Sequence, residues 1–186
     1  MSKGETLRDR TAAAIVDSAA ATMAERGHAV SMNEIASAAG VSRATLYRYF
    51  PSREALLHTM ATTSIEELAA RITDADLQNI PVDQAIARLV RGFVAVGSKY
   101  TALSTPGHEH TADHPDADAL LTEPIRALFR RGMANGSIRP DLPPELLTDV
   151  LSALIKAALK TTADGHAGVE ETSAAITTLF LDGTRT

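Results

Sequence analysis

Apolar residues recur along this chain at the three-and-four spacing of an amphipathic helix almost from end to end, and nowhere at the two-residue spacing of a half-buried strand. That periodicity confines the fold to helices packed on helices. Ala12, Ile15, Val16, Ala19, Ala20 and Met23 form a first stripe and predict a helix over residues 7–26, closed by Gly27 where a left-handed cap is favoured. Ser31-Met32-Asn33-Glu34 has the form of a capping box and predicts a short second helix through Ala39. Gly40 breaks it, Ser42 caps a third helix over Arg43–Tyr49, and Pro51 stops that one. Ser52 then caps a fourth, over residues 53–73, with Glu54 in its first turn complementing the helix dipole.

Further stripes follow: Ile86, Leu89, Val90, Phe93, Val94 and Gly97 after Pro81; Leu121, Ile125, Leu128 and Phe129, ending near Asn135-Gly136; Leu147 to Leu159 behind Pro140, Pro143 and Pro144; and Val169, Ile176, Leu179 and Phe180. The expectation is an all-α chain of about nine helices, with residues 105–118 as an exposed connection rather than a domain boundary. No stretch approaches the ~20 apolar residues of a bilayer span, and residues 1–10 are polar rather than leader-like, so a soluble cytoplasmic protein is expected.

Several kinds of chemistry are excluded early. Cysteine is absent, which removes disulfides, thiolate zinc sites and cysteine nucleophiles. No Gly-rich phosphate loop and no Ser-His-Asp arrangement is visible, so neither a cofactor nor an enzymatic activity is expected. His108, Glu109, His110 and His114 are metal-ligand types, but they lack helical H-E-x-x-H spacing and stand among prolines and a glycine. A solvated or pocket-rim loop is the expectation, with no metal. A metal-dependent enzyme using this cluster stays as an alternative.

Charge is unevenly spread. Residues 1–60 carry seven basic and six acidic side chains, so the negative charge behind the chain's net −5 lies in the remainder. Between Ile35 and Arg53 there is no acid at all, only Arg43, Arg48 and Arg53. A local positive surface on an acidic protein suits selective binding of a polyanion.

The same region has the geometry of a helix-turn-helix: a short second helix, a turn residue that tolerates positive φ, and a third helix with one free face. Ile35, Ala36, Val41, Leu46 and Phe50 are its expected apolar contacts. Ser42, Arg43, Ala44, Thr45, Tyr47, Arg48 and Tyr49 are left for the exposed side. Arginine bridges guanine edges or phosphate, hydroxyls bond phosphate, and small apolar groups meet the thymine methyl. Helix N-termini at Ser31, Ser42 and Ser52 add free N–H groups that favour phosphate.

The string from Glu34 to Leu57, EIASAAGVSRATLYRYFPSREALL, resembles the TetR family of transcriptional regulators. The likeness covers Arg10 to about Met60, and beyond that extends only to an all-α body. It implies a three-helix DNA-binding headpiece over residues 1–52, joined by the fourth helix to a ligand-binding and dimerisation body over residues 53–186. It implies Arg43, Ala44 and Thr45 at the base-reading start of the recognition helix, Tyr47 and Tyr49 against phosphates, and Ser31 and Ser42 at helix starts. It also implies Arg53, at the start of the fourth helix, as a DNA contact, where the family more often has lysine; arginine keeps the charge but not the point-like geometry.

The resemblance also implies a homodimer, an inducible pocket and, most often, repression. Dimerisation has a physical reason too, since one small domain cannot span two major grooves about 34–36 Å apart. Leu147, Val150, Leu151, Ile155, Leu159, Ile176, Leu179 and Phe180 of the last two helices are the expected interface. Phe93, Val94, Leu103, Ile125, Leu128, Phe129, Leu154 and Ala158 are the expected pocket lining, suited to a small hydrophobic effector. The expected partners are thus a palindromic double-stranded operator, a second copy and an unknown small molecule, with no membrane. A ligand-blind DNA-architectural protein is the other alternative.

Overall fold

A computed structural model describes residues 3–27, 29–104 and 116–185. Every element among them is helical, as expected: α1 Lys3–Arg26, α2 Met32–Ala38, α3 Arg43–Tyr49, α4 Arg53–Asp74, α5 Val82–Lys99, α6 Glu123–Ala134, α7 Pro144–Ala163 and α8 Val169–Thr184. A 3-10 turn, Thr101–Ser104, follows α5, and a π turn, Asp118–Thr122, leads into α6. Eight α-helices and two such turns stand where about nine helices were expected. The first helix begins earlier than its apolar stripe, because the stripe marks the buried face and not the polar turn before it. The His108–His114 cluster lies outside the described residues. Among those described, no helix is long and apolar enough to cross a membrane, and no group of acidic and histidine side chains could hold a metal.

The described residues form two compact units. One holds residues up to Ser64 together with 99–104; the other holds Ile65–Ser98 with residues 116–185. α4 contributes to both.

In the first unit α1 packs on α2, α2 on α3, and the 3-10 turn on α1. The buried face of α1 is its sequence stripe, with Ile15, Val16, Ala19, Ala20 and Met23 all out of solvent. Tyr100 and Leu103 are buried as well. Lys99 joins them, its Nζ 2.9 Å from Asp17 Oδ1 and 4.9 Å from the centre of the Tyr100 ring.

The second unit is built on one hydrophobic cluster drawn from α4 to α8. Its centre includes Ile86, Val90, Val94, Leu128, Phe129 and Leu147, with the Phe129 and Phe180 rings 5.5 Å apart. Arg131 secures the loop between α4 and α5: its Nη2 donates to the carbonyls of Leu77 at 2.6 Å and Ile80 at 2.9 Å. A guanidinium satisfies two loop carbonyls that no helix ladder reaches. At the far end, the Arg139 backbone N–H donates to Thr184 O at 2.9 Å and ties α8 to the α6–α7 loop.

Ile138, in the loop that follows α6, folds back so closely on that helix that Gly132 has no room for a side chain. A Cβ there would lie 2.7 Å from Ile138 Cδ1 and 2.8 Å from Cγ1, and Ile138 is only 1% exposed. Overpacking of this kind costs about 1–3 kcal/mol, while replacing a helical glycine returns about 1 kcal/mol of propensity. Gly132→Ala is therefore expected to lower the urea midpoint of unfolding. A midpoint at or above that of the natural chain would mean that Ile138 moves aside freely.

Candidate nucleic-acid interface

The interface is assembled from two seven-residue helices whose ends are individually capped. Ser31, with extended backbone at φ −81° and ψ 157°, is the N-cap of α2. Its hydroxyl accepts from the Glu34 N–H at 3.3 Å, and its own N–H donates to Glu34 Oε2 at 2.8 Å. Both halves of the capping box expected from the sequence are present. Arg26 Nη1 lies 3.9 Å from Glu34 Oε1. Ser42 caps α3 the same way: its hydroxyl accepts from the Thr45 N–H at 3.1 Å and bonds the Thr45 hydroxyl at 2.9 Å. Ser52 Oγ accepts from the Ala55 N–H at 3.1 Å and starts α4.

Between α2 and α3 the chain reverses at Gly40, whose φ is +65°. Nothing lies within 4 Å of where a Cβ would stand, so it is the backbone angle and not space that calls for glycine. The turn closes with the Val41 N–H donating to Ala36 O at 3.0 Å.

Leu46 is the one buried residue of α3; Ile35, Ala36 and Phe50 are buried as well, and α2 packs on α3. Ser42, Arg43, Ala44, Tyr47 and Arg48 are exposed, while Thr45 and Tyr49 are half-buried. The Arg43 guanidinium stands 5.4 Å from the centre of the Tyr47 ring, and Arg48 holds the same distance from Tyr49. Such stacking stiffens two long cationic side chains at little cost. The result is an acid-free helix face carrying two arginines, two tyrosines, two hydroxyls and a methyl group, with α3's own N–H groups at one end. Side chains of these types are the ones that contact base edges and phosphates.

Residues 15–60 match the family model for bacterial regulatory proteins, tetR family. Over 158 residues, covering 85% of this chain and 82% of the relative, the sequence is 31% identical to the transcriptional repressor LfrR of Mycolicibacterium smegmatis. The chain belongs to the TetR family. It is a transcriptional regulator with a DNA-binding helix-turn-helix. The crystal structure of the TetR-like LfrR in complex with proflavine is similar along 95% of this chain and 98% of that one, with a TM-score of 0.75 and 29% identity. The ketosteroid regulator KstR2 of Mycobacterium tuberculosis shares the fold, with a TM-score of 0.71 over 94% of this chain and 95% of that one, at 18% identity.

Against this TetR frame, the remaining expected site residues separate into distinct environments. Arg53 is half-buried, and its Nη1 donates to the Val30 carbonyl at 2.5 Å; sequence reasoning had no signal for that bond. Of the expected pocket lining, Val94, Ile125, Leu128, Phe129 and Ala158 lie inside the second unit's core cluster, and Phe93 and Leu154 pack against it. Leu103 is buried in the first unit. Of the expected interface residues, Leu147, Leu151, Ile155, Ile176 and Phe180 are buried in that same cluster, with Leu159 packed on it. Val150 and Leu179 are 42% and 65% exposed, and neighbouring Leu146 is 44% exposed. The stripe on each helix is wider than one seam, so its centre faces inward and its flank faces out.

The Glu34 carboxyl is held below the ordinary glutamate value of 4.5 chiefly by the Ser31 backbone N–H, then by the Ser31 hydroxyl, with Arg26 contributing less. A carboxylate whose folded pKa is depressed stabilises the fold above its unfolded pKa, and that gain is lost as pH falls through the folded value. Glu34→Gln is thus expected to be less stable than the natural chain at about pH 6, with the gap closing towards about pH 3. Urea unfolding at the two pH values checks this, and a gap that does not change with pH would remove Glu34 from the cap's pH dependence.

Proposed function

We propose that this TetR-family regulator is a homodimeric repressor that binds a palindromic operator and is released from it by a small, largely apolar effector. DNA binding falls to residues 1–52, ligand binding and dimerisation to residues 53–186, with α4 running between them in a cytoplasmic protein. The observation that carries the reading is the α3 face. A helix with a single buried side chain, no acid, and arginine stacked on tyrosine has little use except to enter a groove. In this reading Arg43, Ala44 and Thr45 meet base edges, and Tyr47, Tyr49, Ser31 and Ser42 meet phosphates.

A second copy supplies the matching half-site. Val150, Leu179 and Leu146 give the flank of α7 and α8 an exposed apolar surface that a partner copy would bury. The effector reading draws on LfrR, whose structure was solved with proflavine, and on the wholly apolar core cluster from which Phe93 and Leu154 are only partly covered. An effector fitting the body better when α4 is displaced would alter the separation of two reading heads. It can shift that balance only by its differential affinity for the two states.

Selection of bound fragments from the source genome is expected to return an inverted repeat. On that repeat, Arg43→Ala should cost ~1–3 kcal/mol and relax the preference at one base pair in each half. An unchanged preference would take base reading away from Arg43. Leu179→Asp should leave the helical signal intact and yield monomers in sedimentation, whereas a surviving dimer would put the interface elsewhere.

A further inference from the structure

Arg53 opens α4, yet its side chain turns back across the head. Its Nη1 donates to the carbonyl oxygen of Val30 at 2.5 Å, across twenty-three residues of sequence. Val30 is 4% exposed and directly precedes Ser31, the N-cap of α2. The first rung of the α2 ladder is taken by the Ser31 carbonyl, which accepts from the Ile35 N–H at 3.1 Å. The Val30 carbonyl therefore stands outside the ladder in a buried corner. A carbonyl in such a place needs a partner, and a charged donor makes a stronger one than a neutral group.

The tie has a direction. On one side is the first turn of α4, started by Ser52. On the other is the entry to α2, where Ser31 and Glu34 hold each other in the capping box. Helix α2 in turn carries α3 through buried Ile35, Ala36 and Leu46. Fixing Val30 thus fixes where α2 begins, and with it the pose of the helix that reads DNA.

We propose that Arg53 is a positioning residue of the DNA-binding head, acting on operator binding through Val30 and α2 and not by gripping a phosphate. The role rests on the reading of α3 given under Proposed function. It assigns to this arginine a structural duty that a lysine, with one ammonium in place of a forked guanidinium, performs poorly. It also makes the first turn of α4 a point at which displacement of that helix would be felt by α2.

Positioning and phosphate contact differ in two measurable respects. The experiment compares the full-length natural chain with Arg53→Gln, and with Arg53→Lys should the first variant not fold. Hydrogen exchange on the free protein is expected to show the Ser31 and Glu34 amides opening about tenfold faster in the variant, the size expected for losing one charged hydrogen bond. The amide of Leu46 in α3 and those of the second unit should be unchanged. On an operator duplex, or on calf-thymus DNA at low salt, affinity should fall while the slope of log K against log salt stays the same. A phosphate contact would instead lower that slope by about one and leave the Ser31 and Glu34 amides as they were, which would overturn the proposal. Uniform acceleration across α1, α2 and α3 would also overturn it, since that marks general destabilisation. If the natural chain bound no duplex at all, the DNA-binding reading would fail, and the exchange pattern alone would still decide whether Arg53 holds Val30.

Discussion

Helices of seven residues do not hold themselves together. Below about 12–15 residues an isolated helix is marginal in water even with the best sequence, and α2 and α3 have seven residues each. Everything else in the first unit answers that shortage. Serines cap both helices, Glu34 closes the box on the first, Gly40 supplies the one backbone angle the reversal requires, and Leu46 with Ile35 and Phe50 gives the pair a small shared core. So little apolar surface is needed inward that most of α3 is left facing solvent. The economy of the hydrophobic anchor and the availability of the polar face are one fact.

The second unit solves a different problem. Its helices are long enough to carry wide apolar stripes, and a stripe wider than one contact has to be divided. On α7 and α8 the centre of each stripe goes to the chain's own core, around the Phe129–Phe180 pair, and the flank carrying Leu146, Val150 and Leu179 remains outside. The tight seat of the Ile138 side chain against Gly132 and the double carbonyl grip of Arg131 then fix the frame. A body of this kind keeps its interior continuous while leaving one side unfinished.

Much of this was legible in the residues because much of it is local. Capping boxes, turn glycines and prolines act within four residues, so the bounds of α3 and the caps at Ser31 and Ser42 could be read directly, and the periodicity of α5 to α8 gave the helices themselves. What escaped reading was non-local. Nothing in the string marks Arg53 as a partner for Val30, or distinguishes Leu147, turned inward, from Val150, turned outward, three residues on. A helical stripe gives a direction only once its neighbours are in place. The placement of Lys99 and Tyr100 escaped for the same reason: Lys99 ends α5 and Tyr100 follows it, yet Lys99 pairs with Asp17 and Tyr100 is buried in the first unit.

That last placement bears on how the molecule could be dissected. The fold around α1 is not one continuous piece of chain, because the 3-10 turn following α5 packs on it and Leu103 and Tyr100 are buried with it. A truncation after α4's first half would keep the reading helix but strip the scaffold beneath α1 of that cover. A chimera that transplants this reader onto another body must therefore graft two segments, the amino-terminal one and the short return at residues 99–104.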